Sequence, residues 1–349
     1  MRRIAIFTPS LYGGGAERVS CILANSFAKN CNVFLYHRGK LDGPEYELDK
    51  NINKIRIKTN YSLYKSLKLS KPDVMVVMFA PMITKILPAF FLGGKDSIKI
   101  ISERNDPSKF DGKKLTKYIY QNLMRFFDGV VFQTEEAKSW YSGKGIRNSE
   151  IIENPINVAK LPIPKLENRR KEIVSVGRLE PQKNQELLIK AFSRLMDIYP
   201  DYYLTIYGEG SLRPRLESII RDLGLNNRVI LPGNREDVLD QINGAALFVL
   251  SSNYEGMSNA LIESLALGIP TIATDCPIGG SRQLIRNLNN GILVPIENES
   301  ELVKAIDNVL GNKIDTKLLS NNALNIRKDL SVEVITCKWS NFIKSLSTK

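Results

Sequence analysis

The first half of the chain alternates short apolar runs with segments whose apolar residues recur at helical spacing. This alternation is typical of a doubly wound α/β domain, in which buried strands alternate with helices. The predicted strands are residues 3–7, 32–36, 54–57, 74–79, 98–102 and 129–132. The most apolar stretch, residues 74–92, is interrupted by two prolines and a lysine. A strand followed by a short helix therefore explains this stretch better than a membrane span.

The second half shows the same alternation after a segment that contains prolines. Its predicted strands are residues 173–176, 203–207, 229–231 and 247–250. Two domains are expected, residues 1–160 and 172–330, joined by a linker over residues 161–171. Residues 331–349 follow as a C-terminal segment with a helix predicted over 332–347.

Residues 251–275 predict a polar turn, a helix and a short strand, in that order. Ser258 or Asn259 supplies the N-cap of a helix over residues 260–267, and Gly268 ends it. The first amide groups of a helix lack partners, and the helix dipole is positive there. This helix start therefore predicts an anion site.

Two glutamates frame this helix start. Glu255 precedes the helix, and Glu263 lies within it among apolar residues. A carboxylate is costly to bury without a partner, so Glu263 either faces solvent or binds a polar group. A glycosidase acid/base pair is another use for two carboxylates, but it requires them to flank a scissile bond. It also leaves two further loops unexplained.

Those two loops follow predicted strands and carry groups that bind anions. Glycines 13–15 follow the first strand and allow backbone N–H groups to approach a phosphate, although a tight turn without a ligand would use them equally. Arg178 and Lys183, five positions apart, can each hold phosphate oxygens. A dinucleotide-binding fingerprint is excluded. It needs glycine where Arg18 stands and an acidic residue at the end of the second strand.

Composition and charge narrow the choice of partner. The 349 residues are 43% hydrophobic. The four cysteines and the single histidine suggest neither a zinc site nor a disulfide framework, so a reducing cytoplasm is expected. The net charge of +12 is uneven: residues 1–168 contain 27 Lys/Arg and 16 Asp/Glu, whereas residues 169–349 contain 22 and 21. A basic half predicts an anionic membrane surface, a phosphorylated substrate or nucleic acid, but no nucleic-acid motif is present.

Two predicted helices concentrate the positive charge. Residues 61–71 place Lys65, Lys68 and Lys71 on one side, and residues 113–127 combine apolar helical spacing with several lysines. The lysines expected to face an anionic membrane are Lys65, Lys68, Lys113, Lys114 and Lys117. A solvated lysine-rich surface is the alternative.

Three runs carry a resemblance: GGGAER at 13–18, GRLEPQKN at 177–184 and EGMSNALIESLALGIPTIATD at 255–275. In type and order they resemble the motifs of the family-4 retaining glycosyltransferases. The resemblance implies the GT-B fold, in which two Rossmann-like doubly wound domains with parallel sheets face a cleft and a C-terminal helix returns to the first domain. It is strongest to bacterial enzymes that extend polyprenyl-diphosphate-linked surface glycans such as lipopolysaccharide, capsule or O-antigen.

The resemblance also implies a reaction and its residues. A hexose or N-acetylhexosamine would pass from a nucleotide-diphosphate donor, expected to be UDP-linked, to a hydroxyl of a lipid-linked or surface-polysaccharide glycan. Configuration would be retained, with no metal or cofactor. The residues implied in catalysis are Arg178, Lys183 and Glu255. Those implied in holding the donor are Gly14, Gly15, Gly177, Asn234, Met257, Ser258, Asn259 and Glu263.

Arg104 and Asn105 are implied in binding the sugar or the acceptor, because Arg104 stands where relatives often have a histidine. The expected location is the cytoplasm, at the inner face of the membrane. Two alternatives stay open: a sugar-nucleotide epimerase on the same fold, and a polyanion-binding protein without enzymatic activity.

Overall fold

The computed structural model of the chain describes residues 1–39, 45–109 and 114–347. The chain divides into a first unit, Met1–Asn157 with Leu330–Lys349, and a second unit, Val158–Asp329. Lys113, one of the lysines expected at a membrane, lies outside the described residues.

The first unit is built on a seven-stranded parallel sheet in the order β3-β2-β1-β4-β5-β6-β7. Its strands are β1 (Arg3–Thr8), β2 (Asn32–His37), β3 (Asn53–Arg56), β4 (Val74–Val77), β5 (Ile98–Ser102), β6 (Gly129–Phe132) and β7 (Ser149–Ile151). Its helices before the chain enters the second unit are α1 (Gly15–Ala28), α2 (Asn60–Ser70), α3 (Ile83–Gly93), α4 (Lys114–Leu123) and α5 (Glu135–Trp140). Every residue of β4 and β6 is buried, as expected for parallel strands covered by helices on both faces.

The second unit contains a six-stranded parallel sheet in the order β10-β9-β8-β11-β12-β13. Its strands are β8 (Arg170–Val176), β9 (Tyr203–Tyr207), β10 (Val229–Gly233), β11 (Ala245–Leu250), β12 (Thr271–Thr274) and β13 (Ile292–Val294). Its helices are α6 (Gln185–Ser193), α7 (Arg213–Asp222), α8 (Val238–Ile242), α9 (Asn259–Ala266), α10 (Gly280–Leu284), α11 (Glu299–Leu310), α12 (Thr316–Ala323) and α13 (Ile326–Asp329). Helix α11 packs on α6 and β11 over an apolar core.

Each sheet has a point where the order of strand addition reverses: between β1 and β4 in the first unit, and between β8 and β11 in the second. Open α/β sheets bind ligands outside the carboxyl ends of the strands at such a point. Glycines 13–15 follow β1, Lys183 follows β8 and Glu255 follows β11. The fold thus brings the anion-binding candidates of each unit to that unit's switch point.

The C-terminal helix α14 (Val332–Ser347) belongs to the first unit and packs on α1. Its buried side chains include Trp339 and Phe342, and Lys338 Nζ lies 2.6 Å from an oxygen of Glu153. The predicted return of this helix to the first domain is confirmed.

The α/β alternation and the strand over 98–102 are confirmed, but several details differ from the sequence prediction. Strand β13 was not predicted, because a run of three residues is too short to show a period. Lys71 was expected on α2 with Lys65 and Lys68. It lies instead at the C-cap in the left-handed region (φ 43°), so it leaves the helical row. The helix predicted over 113–127 ends at Leu123, and a 3-10 turn follows.

Candidate active site

Lys183 and Glu255 form an ion pair between the loops that follow β8 and β11. Their side chains are only 14% and 8% exposed. Ser252 Oγ donates a further hydrogen bond to Glu255 Oε1 at 2.7 Å. In a partly buried pair the desolvation of both charges is offset only when each is matched by good partners. The two loops therefore present a fixed, compensated pair at the switch point.

Gln182 extends this pair into a larger cluster that includes Arg178. Arg178 Nη2 donates to Gln182 Oε1 at 3.0 Å. Gln182 Nε2 in turn donates to the carbonyl oxygen of Tyr254 at 3.0 Å and lies 3.5 Å from Glu255 Oε2. These contacts thus connect Arg178, Lys183 and Glu255, the three residues that the resemblance implies in catalysis. Sequence reasoning missed Gln182, although it lies inside the GRLEPQKN run.

The loop that carries Lys183 is fastened to the loop after β11 by backbone and side-chain bonds. Asn253 N donates to the carbonyl oxygen of Gln182 at 2.9 Å, and Ser251 Oγ donates to that of Lys183 at 3.0 Å. Asn184, the N-cap of α6, donates to Asn253 Oδ1 at 2.8 Å. Such bonds hold the cationic groups in position before any ligand arrives, which is the requirement for electrostatic stabilisation of a developing charge.

The start of α9 adjoins this cluster. Ser258, rather than Asn259, is the N-cap, and its side chain accepts a hydrogen bond from Leu261 N at 3.4 Å. Met257 and Ser258 are buried, and Gly268 ends the helix with φ +63°. Glu263 is 6% exposed, so the interpretation in which it faces solvent is wrong.

Close backbone contacts at this edge of the sheet depend on glycine. A Cβ atom on Gly208, which has φ +139°, would lie 2.0 Å from the carbonyl oxygen of Gly177. A Cβ atom on Gly280 would lie 1.6 Å from that of Gly256. These glycines allow the loops after β8, β9 and β11 and the start of α10 to pack backbone to backbone.

Cys276 lies beside the cluster, with its Sγ 3.3 Å from the carbonyl oxygen of Ser252. Burial, together with the negative charge of Glu255, raises the pKa of Cys276 to about 12. The thiol therefore stays protonated at neutral pH and is not a nucleophile.

Other residues implied in holding the donor belong to other loops of the chain. Asn234 follows β10 and is exposed, and none of its described contacts joins it to Lys183. Gly14 and Gly15 belong to the first unit, where Gly14 is the N-cap of α1 and Gly15 its first residue. A Cβ atom on Gly14 would lie 2.0 Å from Glu17 Oε2, so a carboxylate lies close against the glycine loop.

Arg104 and Asn105 also belong to the first unit, on the loop after β5. Asn105 is exposed, whereas Arg104 is buried. The described hydrogen bonds of the Arg104 guanidinium go to the side chains of Ser102 and Asn154.

The predicted membrane-facing lysines lie on neighbouring helices, because α3 contacts both α2 and α4. These three helices contain no Asp or Glu. Apolar side chains are exposed on them and on the following 3-10 turn: Tyr61, Tyr64, Leu69, Leu92, Leu115, Tyr118, Ile119 and Phe126. We name this surface, with Lys65, Lys68, Lys114 and Lys117, the α2–α4 face. Across the described residues, none of the helices combines the length and apolarity needed to cross a bilayer.

Comparison with known proteins adds a family and a fold. Residues 159–326 match the family model described as "Glycosyl transferases group 1". The chain is 28% identical over 360 residues to an uncharacterized glycosyltransferase of Haemophilus influenzae, covering 98% of this chain and 100% of that protein. It is also 28% identical over 360 residues to a Campylobacter jejuni protein named GalNAc-alpha-(1->4)-GalNAc-alpha-(1->3)-diNAcBac-PP-undecaprenol alpha-1,4-N-acetyl-D-galactosaminyltransferase, covering 98% of each.

Among solved structures, Anabaena HepE in complex with UDP superposes with a TM-score of 0.81. The match covers 99% of this chain and 100% of that one, at 17% identity. At this identity the likeness concerns the fold, which is GT-B.

Proposed function

Because this chain belongs to the group 1 glycosyl transferases and has the GT-B fold, we propose a specific reaction for it. It transfers a hexose or N-acetylhexosamine from a UDP-linked donor to a hydroxyl of a lipid-linked or surface-polysaccharide glycan. The configuration at the anomeric carbon is retained, and no metal ion takes part. The class, a glycosyltransferase acting on a nucleotide sugar, follows from the family; the donor, acceptor, stereochemistry and metal independence are the proposal.

The observation that carries the proposal is the cluster of Arg178, Lys183 and Glu255. When the sugar leaves the donor, negative charge develops on the diphosphate. Two cations held in place at that point can lower the barrier by several kcal/mol, as preorganised donors do in other enzymes. Arg178 offers a planar fork and Lys183 a point charge for the phosphates. Glu255, released from Lys183, accepts hydrogen bonds from the hydroxyls of the donor sugar.

The start of α9 supplies the remaining donor contacts in this proposal. Backbone N–H groups of Met257, Ser258 and Asn259 face the diphosphate at the positive end of the helix dipole. Glu263 accepts hydrogen bonds from the ribose hydroxyls. Its burial supports this role, because it distinguishes Glu263 from a solvated surface carboxylate. The nucleotide contacts of Gly14, Gly15, Gly177 and Asn234 stay predictions.

The proposed acceptor and location follow from the α2–α4 face and from a relative. The Campylobacter jejuni relative is named as acting on an undecaprenol-diphosphate-linked glycan. Three helices without acids, with lysines beside exposed apolar side chains, suit reversible binding to an anionic bilayer. We therefore propose that the protein works in the cytoplasm, on the inner face of the membrane.

A thermal-shift screen with nucleotide sugars tests the donor. A ligand at a hundredfold its dissociation constant stabilises by about 2.7 kcal/mol, so UDP-sugars should raise the unfolding midpoint and GDP-sugars should not. Release of UDP only in the presence of a glycan acceptor supports transfer. Conversion of the donor into its epimer without net release of UDP favours the epimerase. Stabilisation by no nucleotide sugar would contradict the proposal.

A further inference from the structure

Arg104 is a buried cation whose described partners are neutral. The residue is 8% exposed. Its Nη1 donates to Ser102 Oγ at 3.2 Å, and its Nη2 donates to Asn154 Oδ1. Burial alone lowers the pKa of Arg104 to about 10, which leaves the guanidinium charged at neutral pH. A charge in the protein interior is costly unless an opposite charge joins it, so this guanidinium calls for an anion.

The described hydrogen bonds of the two carboxylates nearest in the chain come from other groups. Glu103 Oε2 accepts a hydrogen bond from the Tyr141 hydroxyl at 2.8 Å. Asp106 Oδ1 accepts two from Ser108, from the backbone N–H at 2.8 Å and from Oγ at 2.6 Å. No described hydrogen bond or ion pair joins either carboxylate to the Arg104 guanidinium, whose described partners are Ser102 and Asn154.

The hydrogen bonds to Ser102 and Asn154 also hold the Arg104 guanidinium in one orientation. Asn154 Oδ1 accepts a second hydrogen bond from Gln133 Nε2 at 2.5 Å. Ser102 ends β5, while Gln133 and Asn154 follow β6 and β7, which are adjacent parallel strands. Because the sheet is parallel, their carboxyl ends lie at the same edge as the carboxyl ends of β1 and β4, which flank the switch point. Two of the five guanidinium N–H groups make these bonds, which leaves three N–H groups that can donate to an oxyanion.

The Arg104 loop is tied to the α2–α4 face. Lys117 Nζ donates to the carbonyl oxygen of Ser108 at 2.7 Å, and Gln121 Nε2 donates to that of Pro107 at 2.9 Å. Both donors lie on α4, the amphipathic helix of that face. An anion bound by Arg104 would therefore belong to a molecule that arrives close to this surface.

We infer that Arg104 binds the diphosphate of a lipid-linked acceptor. The inference rests on the proposed function, and it names the acceptor chemistry that this chain selects. A neutral sugar hydroxyl does not require a buried charge, whereas phosphoryl oxygens match the geometry and charge of the guanidinium fork. Arg104 then distinguishes a diphosphate-linked glycan from the same glycan without phosphate.

Direct binding of geranyl diphosphate and of UDP, measured by calorimetry in detergent-free buffer, tests this inference without requiring turnover. Arg104→Gln should weaken geranyl diphosphate at least tenfold and leave UDP within twofold. Arg104→Lys keeps the charge and should be intermediate. Arg147→Gln, which changes an exposed arginine of the same unit, should match the wild type for both ligands.

Unchanged binding of geranyl diphosphate by Arg104→Gln would overturn the inference. An equal loss for both ligands would also overturn it, because Arg104 would then serve the donor diphosphate. If Arg104→Gln does not fold, a competition experiment with the wild type tests the inference instead. Geranyl diphosphate should then bind to the wild type without displacing UDP, and displacement of UDP would contradict the inference. Failure of the proposed function shows separately, as absence of sugar transfer while both ligands bind.

Discussion

Lys183 and Glu255 neutralise each other across the loops after β8 and β11. In the proposed function both groups contact the donor, Lys183 at its diphosphate and Glu255 at its sugar. Binding of the donor must therefore break the ion pair between Lys183 and Glu255 and replace it with contacts to the diphosphate and to the sugar. A ligand that offers only the diphosphate must break the pair and leave the carboxylate with fewer partners.

This exchange predicts that Glu255→Gln separates binding of UDP from sugar transfer. The amide releases Lys183, so UDP should bind as tightly as in the wild type or up to about tenfold more tightly, which is ~1.4 kcal/mol. Transfer should fall about 10²-fold, because the hydroxyls of the sugar lose an acceptor. Calorimetry with UDP and steady-state kinetics measure the two effects.

Glu186→Gln is the matched control, since it breaks the pairs with Lys190 on α6 and Arg215 on α7 and should leave both quantities unchanged. Parallel loss of UDP binding and transfer in Glu255→Gln would refute the division of roles between Lys183 and Glu255.

Glu263→Gln should weaken UDP and the intact UDP-sugar by the same factor. A carboxylate hydrogen-bonded to a ribose diol contributes about 1.5–3 kcal/mol, so the expected loss is roughly 10- to 100-fold for each ligand. Turnover at saturating donor should change little. Competition of UDP against the donor measures both affinities in one assay. A variant that binds UDP normally but transfers sugar slowly would remove Glu263 from the ribose.

The sequence predicts much of this site because its signals are local. Ser258 caps α9 and Gly268 ends it, as residue type and spacing indicate. Gln182 could not be recognised, because its contact with Glu255 joins positions 73 apart in the chain. The neutral surroundings of Arg104 were equally hidden, since Asn154 follows it by 50 positions. Local periodicity predicts elements, whereas partners brought together by the sheet order require the tertiary structure.

Glu103 should make the stability of the protein depend on pH. Burial raises the pKa of this carboxyl from 4.5 to about 7. At a pH between these two values, Glu103 keeps its proton in the folded chain but has released it in the unfolded chain. The free energy of unfolding therefore falls as pH rises through this interval, by about 3 kcal/mol in all. Glu103→Gln should flatten the change in unfolding midpoint between pH 5 and pH 8.

Glu150→Gln, an exposed acid on β7 of the same unit, should retain the slope of the wild type. If Glu103→Gln also retains it, Glu103 titrates at its ordinary pKa in the folded protein.

The α2–α4 face should bind anionic vesicles. Each lysine near an anionic surface contributes about 1 kcal/mol, so replacing both Lys65 and Lys68 with glutamine should weaken binding roughly 30-fold. Added salt should also weaken binding of the wild type to anionic vesicles. The matched control replaces Lys304 and Lys317, two exposed lysines of the second unit. Co-sedimentation with phosphatidylglycerol and phosphatidylcholine vesicles measures the effect. Equal recovery with both lipids would identify the lysines as a solvated surface.

The most direct test of the account measures turnover of Arg178→Ala and Lys183→Ala with a UDP-sugar and a glycan acceptor in the presence of EDTA. The wild type should release UDP only with acceptor and form an α-linked product from an α-linked donor, read by NMR. Each variant should lose about 10²-fold or more in turnover while its unfolding midpoint shows that it remains folded. Lys190→Ala, which removes an exposed paired lysine from α6, should keep wild-type turnover. Near-normal turnover in both site variants, or a product of inverted configuration, would contradict the account.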